Sequence, residues 1–284
     1  MSEPWRAWRD PRVVLREHGL RPSRHHSQNF LIALGVVEAI ADAVGEVARV
    51  VEIGPGLGTL TAELARRGLS VVALEKDRRM IEVLEDELRG ADVRVVAGDA
   101  TRLDLAALGA TPVDLVGNLP YAITGAILRR LVEQVSALNR ATIMVQKEVR
   151  DRLLAEPGTK AWGAPSAFVG NVFEVHSIRV VEKGSFHPPP KVRSAVVSLV
   201  PRAEARARAA LFGPTVRAIF AQRRKTLRNA LRAAFDHDAV EAVMTHYAPT
   251  TRGETLDIEA LGLLARRLEE SGVEAPAHDA GDTT

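Results

Sequence analysis

The sequence predicts an α/β domain built on a largely parallel sheet, followed by a smaller all-helical domain. Three observations predict it. Five apolar, β-branched runs (50–53, 71–74, 93–96, 113–116 and 142–145) are separated by stretches with helical patterning, the succession expected of βαβ units. The first run ends in the glycine-rich turn Gly54-Pro55-Gly56-Leu57-Gly58. From about residue 206 the apolar positions Val216, Ile219, Phe220, Leu227, Leu231 and Phe235 recur at helical spacing.

In chain order, residues 1–24 form an arginine-rich, basic extension, and 25–204 the α/β domain. Within it the runs at 175–181 and 195–200 have no helical pattern between them, which predicts an antiparallel hairpin closing one sheet edge. Residues 205–270 form the helical domain. Small polar and acidic residues at 271–284 predict a disordered tail.

At 284 residues the chain has room for about two domains. Its 46% hydrophobic and 26% charged composition suits a folded soluble protein. The absence of cysteine excludes disulfides, thiolate metal ligands and a cysteine nucleophile. The longest uncharged apolar run, 30–37, falls far short of the ~20 residues of a bilayer span. The start of the chain, with Trp5, Trp8 and scattered arginines, lacks the apolar segment of a signal peptide, so cytoplasmic residence is the expectation. Net charge is only +2, yet six cations (Arg217, Arg223, Arg224, Lys225, Arg228, Arg232) and no acid fall between 215 and 235. On one helix Arg224, Arg228 and Arg232 would form a single anion-seeking stripe.

The most informative stretch is Asn118-Leu119-Pro120-Tyr121, set at the end of the fourth run. An exocyclic amino group on a purine is a poor nucleophile because its lone pair is delocalised into the ring. An Asn side-chain oxygen and the Leu119 carbonyl can each accept one of its two hydrogens, and Pro120 fixes φ so that this carbonyl points inward. Tyr121 would lie face-on against the base. Taken alone, the tetrapeptide reads equally well as a strand-to-loop turn.

Glycine spacing narrows the partner. A dinucleotide fingerprint, G-x-G-x-x-G, requires its third small residue at 59, where this chain has Thr59; the spacing is G-x-G-x-G. The adjacent Glu52 disfavours a pyrophosphate and favours a cationic ligand, and S-adenosylmethionine, with its ammonium and sulfonium, fits. Glu75 ends the second run, where such sheets hold ribose hydroxyls. Asp99 follows the third and is placed for the cofactor's adenine amino group. Each acid alone reads as a solvated loop residue; three at successive strand ends point to a site.

Six ordered motifs then resemble one family: Gln28-Asn29-Phe30-Leu31, Glu52-Ile53-Gly54-Pro55-Gly56, Gly117-Asn118-Leu119-Pro120-Tyr121, Gln146-Lys147-Glu148-Val149, Phe186-His187-Pro188-Pro189-Pro190-Lys191-Val192 and Arg223-Arg224-Lys225-Thr226. They are similar to the small-subunit ribosomal RNA adenine dimethyltransferases, from about Arg24 to Arg267. The resemblance implies a Rossmann-like S-adenosylmethionine-dependent methyltransferase domain with a helical C-terminal domain. It implies methylation of N6 on two adjacent adenosines of 16S RNA, one methyl per turnover, on the immature small subunit. Carried over residue by residue, it places the cofactor at Asn29, Leu31, Gly54, Gly56, Glu75, Asp99 and Asn118. Catalysis falls to Asn118, Leu119, Pro120, Tyr121 and Phe186, the last as an aromatic opposite Tyr121. The stiff prolines after Phe186 suit an arm at a site mouth. RNA contacts are expected at Lys191, Arg223, Arg224, Lys225, Arg228 and Arg232. Nothing in the sequence calls for a metal, a membrane or an oligomer, so a monomer is expected.

No strong general base is needed, because the methylated amine is acidic enough to lose its proton to water; positioning and electrostatics carry the rate. A monomethylated N6 has one hydrogen left, so the pocket must be roomy enough to accept a methyl. Departures from the family pattern fall at Ser27, Trp162, Ala164-Pro165 and Arg193, expected on an RNA-facing rim. Three rival readings are a large-subunit RNA methyltransferase conferring antibiotic resistance, a DNA adenine methyltransferase, and an assembly factor acting mainly by binding. The Arg223-Arg224-Lys225 segment weighs against the first, and the lack of a base-reading element against the second.

Overall fold

The structure, a computed structural model, describes residues 9–23, 28–109, 111–203 and 209–273. Ser27, the start of the basic extension and residues 274–284 of the expected tail lie outside them. The chain divides into two compact units, Met1–Arg150 with Phe173–Pro201, and Asp151–Val172 with Arg202–Thr284.

The first unit begins with helix α1 (Pro11–Glu17), started by Pro11 and capped by Asp10, whose carboxylate accepts from Arg12 N at 2.8 Å. Val14 and Leu15 are buried with Phe30, Leu57, Met80 and Val83. This part of the expected basic extension is therefore packed onto the domain. Its Arg9 is spent on Glu87 at 2.6 Å.

Then come β1 (Phe30–Leu31), α2 (Leu34–Asp42), β2 (Arg49–Ile53), α3 (Thr59–Arg66), β3 (Ser70–Glu75), α4 (Arg78–Glu87), β4 (Val93–Ala97), α5 (Leu105–Leu108), β5 (Val113–Asn118), α6 (Thr124–Glu133) and β6 (Leu138–Gln146). After α7 (Lys147–Leu153) and α8 (Ala164–Val172), the sheet is completed by β7 (Phe173–Val181) and β9 (Ser194–Pro201), with the short β8 (Phe186–His187) between them. The seven-stranded order is β4-β3-β2-β5-β6-β9-β7. β2 to β6 pair in parallel, while β9 runs antiparallel between β6 and β7. The expected hairpin thus closes the edge, but its second strand is the inner one. β8 pairs with β1 instead, Leu31 opposite Phe186.

The central strands β2 and β5 are buried on both faces, which is why their sequences do not alternate; each apolar run is interrupted by one buried acid, Glu52 and Asp114. The ends of β2 and β5 approach closely at Gly117, where a β-carbon would stand 2.6 Å from Ile53 O. After β2 the chain turns through Gly54, Gly56 and Gly58, with φ of +66°, +59° and +79°. That left-handed series sets the one-residue spacing of the glycines.

In the second unit α8 packs with α9 (Phe212–Ala221) and α12 (Ile258–Glu270), joined by α10 (Leu227–Leu231) and α11 (His237–Met244). Val216, Ile219, Leu227 and Leu231 are buried in its core, with Phe220 and Phe235 against it. Trp162 and Ala167 belong to the same core. Residues 151–172 therefore group with the helices, whereas the expected α/β domain ran unbroken from 25 to 204. Trp162 is 3% exposed and meets Phe220 edge-on at 6.4 Å, so this departure from the family pattern is a core substitution and not a rim feature.

The expected continuous basic stripe is also interrupted. Thr226 has extended backbone (ψ 155°) and caps α10, so 222–226 form a turn that separates Arg224 from the helix carrying Arg228.

Candidate active site

A cavity of about 290 Å³ opens at the C-terminal ends of β2, β3, β4 and β5, the rim where open α/β sheets take ligands. Asn29 and Leu31 line it from β1 and the segment before it. Gly54 and Gly56 line it from the turn after β2, Glu75 and Asp99 from the ends of β3 and β4, and Asn118 to Tyr121 from the end of β5. These ten residues, scattered over more than ninety positions, are brought together.

The three acids differ in charge state for clear reasons. Glu52 is 2% exposed on the cavity wall, and its Oε2 has no hydrogen-bond partner among the described residues. Burial, opposed by the neighbouring Thr61 hydroxyl and reinforced by the Glu75 charge, pushes its carboxyl up to about 8. At neutral pH it is mostly protonated until a cation arrives. The expectation of a standing negative charge is thus refined: Glu52 is a latent anion, and its buried Oε2, without a partner among the described residues, fits the cationic end of S-adenosylmethionine. Glu75 accepts from Gly56 N at 3.2 Å, Lys76 N at 2.8 Å and Asp77 N at 2.9 Å. Burial raises its carboxyl above the ordinary range against these donors. Asp99 is the strong anion. Lys76 Nζ at 2.6 Å and the Thr101 amide and hydroxyl, at 2.9 and 2.8 Å, hold it at about 2.

Asn118 is oriented from outside its own loop. Its Nδ2 donates to Asn29 O at 3.1 Å, which leaves Oδ1 as the acceptor of the carboxamide. Leu119 N donates to Met144 O at 3.1 Å, while Pro120 O accepts from Ile123 N at 3.1 Å and Thr124 Oγ1 at 3.3 Å. No donor reaches Leu119 O or Asn118 Oδ1 among the described residues. Two consecutive cavity-lining residues thus each keep an acceptor open, just before Pro120 at φ −59°. Tyr121 starts a one-turn 3-10 helix, 121–123, and its hydroxyl lies 2.6 Å from Ser194 Oγ.

Phe186 departs from its expected place. It is 3% exposed and packs in the apolar core with Val36, Val37, Met144 and Val196, and it does not line the cavity. Pairing of β8 with β1 draws the side chain inward. Lys191 is exposed, and Arg193 is exposed with Glu182 at 3.5 Å.

The cations of the second unit divide into two sets. Arg223 Nε reaches Glu254 at 2.5 Å and donates to the Thr159 and Lys160 carbonyls, while Arg228 and Arg232 both grip Glu241. The acid-free sequence window becomes a paired surface because α11 and the 253–255 turn deliver carboxylates from later in the chain. Arg217, Arg224 and Lys225 have no acidic partner among the described residues.

Sequence reasoning gave no role to Gln28, Lys76 or Ser194. Gln28 ties Ser23 N, at 2.8 Å, to Asp77 Oδ2, at 2.9 Å, beside the cavity. It lies in a quoted motif, whereas nothing in the sequence links Ser194 to Tyr121, 73 positions earlier.

The sequence model of the family described as Ribosomal RNA adenine dimethylase matches residues 20–266. Ribosomal RNA small subunit methyltransferase A of Myxococcus xanthus is 42% identical, with 91% of this chain and 95% of that protein covered. The protein of the same name from Deinococcus radiodurans is also 42% identical, over 90% and 89%. Among solved structures, a dimethyladenosine transferase from Plasmodium falciparum superposes with a TM-score of 0.75 at 24% identity, covering 87% of this chain and 99% of that one, a likeness of fold. The 23S rRNA methyltransferase ErmE gives 0.67 at 28% identity, covering 85% and 100%. With the family match spanning most of the chain, this Rossmann-like protein belongs to the ribosomal RNA adenine dimethylases and is an S-adenosylmethionine-dependent methyltransferase.

Proposed function

We propose that the protein methylates N6 of two adjacent adenosines in a loop of small-subunit (16S) ribosomal RNA, giving N6,N6-dimethyladenosine, and that it acts on the immature small subunit as a monomer in the cytoplasm. The observation that carries this reading is that, with Asn118 Nδ2 held by Asn29 O, Asn118 and Leu119 line the cavity with Asn118 Oδ1 and Leu119 O both left without a donor among the described residues. They accept the two hydrogens of the adenine amino group and return its lone pair to nitrogen. Tyr121 supplies a flat face for the base and, by cation–π attraction, eases the positive charge that passes through N6. Phe186, on the strand paired with β1, packs beside Leu31 in the core and supports the segment that carries Asn29 and Leu31.

S-Adenosylmethionine, when bound, supplies an electrophilic methyl. Gly54 and Gly56 let the backbone approach the cofactor, and Asn29 and Leu31 cover it. Glu75 serves the ribose hydroxyls, Asp99 the adenine amino group and Glu52 the cationic end. Because the target must leave its stack, loop adenosines are the natural substrate. Arg217, Arg224 and Lys225 are the cations free to meet phosphate; Lys191 adds a further one on the first unit, and Arg223, Arg228 and Arg232 act through their paired frames. The small-subunit assignment draws on relatives of that name at 42% identity, against 28% for the large-subunit enzyme.

The test supplies labelled S-adenosylmethionine with immature small subunits, naked large-subunit RNA or duplex DNA, followed by digestion to nucleosides. Dimethyladenosine from small subunits alone is expected. Label in large-subunit RNA or DNA sinks the assignment.

A further inference from the structure

Ser194 is 0% exposed and is the first residue of β9, clamped between Gln146 of β6 and Val181 of β7. Its hydroxyl is thus mounted on a strand paired on both sides. Tyr121 is mounted differently, on a one-turn helix at the cavity wall, partly open to solvent. A ring on such a turn keeps two side-chain torsions. The Tyr121 Oη to Ser194 Oγ bond of 2.6 Å removes that freedom, and it is the one side-chain hydrogen bond of the phenol among the described residues. Burial raises the phenol above its ordinary range, so the hydroxyl keeps its proton at working pH.

The two methyl transfers lean on this ring unequally. In the first, N6 offers two hydrogens, and Asn118 Oδ1 and Leu119 O together fix both the position and the plane of the base. In the second, monomethylated N6 has one hydrogen, and only one of the two acceptors can be used. The plane of the base then depends on the stacking face. We propose that Ser194 is a positioning residue that holds the Tyr121 ring in the plane required for the second methyl transfer, so that it governs completion of dimethylation more than its onset. This rests on the placement of the target base against Tyr121 proposed above.

The experiment follows the time course of monomethyl- and dimethyladenosine on unmethylated small subunits with the full chain, alongside cofactor affinity and melting midpoint. Losing one neutral hydrogen bond corresponds to about a threefold to tenfold change. Ser194→Ala should slow the first transfer by no more than about threefold and the second by about tenfold, so that monomethyladenosine accumulates. Tyr121→Phe removes the same bond from the other side and should give the same product course, and the double variant should be no worse than either. Ser194→Thr, which keeps the hydroxyl, should restore dimethylation. Cofactor affinity should stay at the wild-type value, and the melting midpoint should fall by no more than the few degrees that one hydrogen bond accounts for. An unchanged product course in Ser194→Ala and Tyr121→Phe, equal slowing of both steps, additive effects, a parallel loss of cofactor affinity, or a stability loss beyond that of one hydrogen bond overturns the proposal. Tyr121→Ala separates the two levels. If it methylates normally, the placement of the base falls; if it is inactive while Ser194→Ala behaves as wild type, only the role of Ser194 falls.

Discussion

Replacing Glu52 with glutamine should make the cofactor-free protein more stable, by an amount that grows with pH. The carboxyl is 2% exposed and held at about 8, against an ordinary 4.5. A carboxyl whose pKa is raised in the fold binds its proton more tightly there than in the unfolded chain. Stability is therefore full below about 4.5 and is lost as pH rises towards 8. At 1.36 kcal/mol per pH unit, the wild type has lost about 5 kcal/mol above pH 8. The glutamine of the Glu52→Gln variant does not titrate, but its buried amide lacks a partner and costs about 1–3 kcal/mol. The net gain at pH 8.5 is about 2–4 kcal/mol, roughly 5–15 °C in melting midpoint for a chain of this size. At pH 5 the carboxyl is neutral, the gain vanishes and the amide penalty remains. Differential scanning fluorimetry from pH 5 to 9 reads the crossover. S-Adenosylmethionine, as a cation, should favour the ionised carboxylate, so at pH 8.5 it should raise the midpoint of the wild type more than that of the variant. Calorimetry at pH 7 should show proton release on binding to the wild type alone. A difference that is flat with pH, or a variant less stable than wild type at pH 9, refutes the reasoning.

Gly117→Ala would put a β-carbon 2.6 Å from Ile53 O, between strands that cannot part without opening the cavity; a loss of about 1–3 kcal/mol in urea denaturation, with weakened cofactor binding, is expected. Among the cations, Arg224→Ala and Lys225→Ala should each lower RNA affinity and reduce the slope of log K against log salt by about 0.7–0.9, measured by fluorescence anisotropy. Arg228→Ala should change that slope less, because Arg228 already faces Glu241.

Most of the fold was legible because the α/β core obeys local rules. Parallel strands buried on both faces read as largely apolar runs, and left-handed turn positions demand glycine, so β2, β3, β5, β6 and the 54–58 loop follow from sequence; β4, half-exposed at the edge, is legible from its valines instead. The site was legible where its residues end those strands: Glu75, Asp99 and Asn118 are fixed by topology once the strands are placed. What escaped were long-range pairings. The core position of Phe186 depends on β8 pairing with β1, more than 150 residues away. The neutralisation of Arg228 depends on Glu241, from the next helix, and of Arg223 on Glu254, which lies outside any basic window. Residues 151–172 read as part of the α/β alternation because α8 precedes a strand, yet Trp162 and Ala167 pack with helices formed much later in the chain. Glu52 was recognised as acidic, but its protonation depends on burial, which only the fold reveals.

The central claim is that Asn118 and Leu119 activate an adenine amino group, and product analysis of Asn118→Ala tests it most directly. With unmethylated small subunits and saturating labelled S-adenosylmethionine, the variant should lose about 10²–10³ in the rate of first methylation, the usual cost of removing one preorganised partner from a reacting centre. Its binding to the subunit should be unchanged. Dimethyladenosine formed by Asn118→Ala at the wild-type rate would contradict the account.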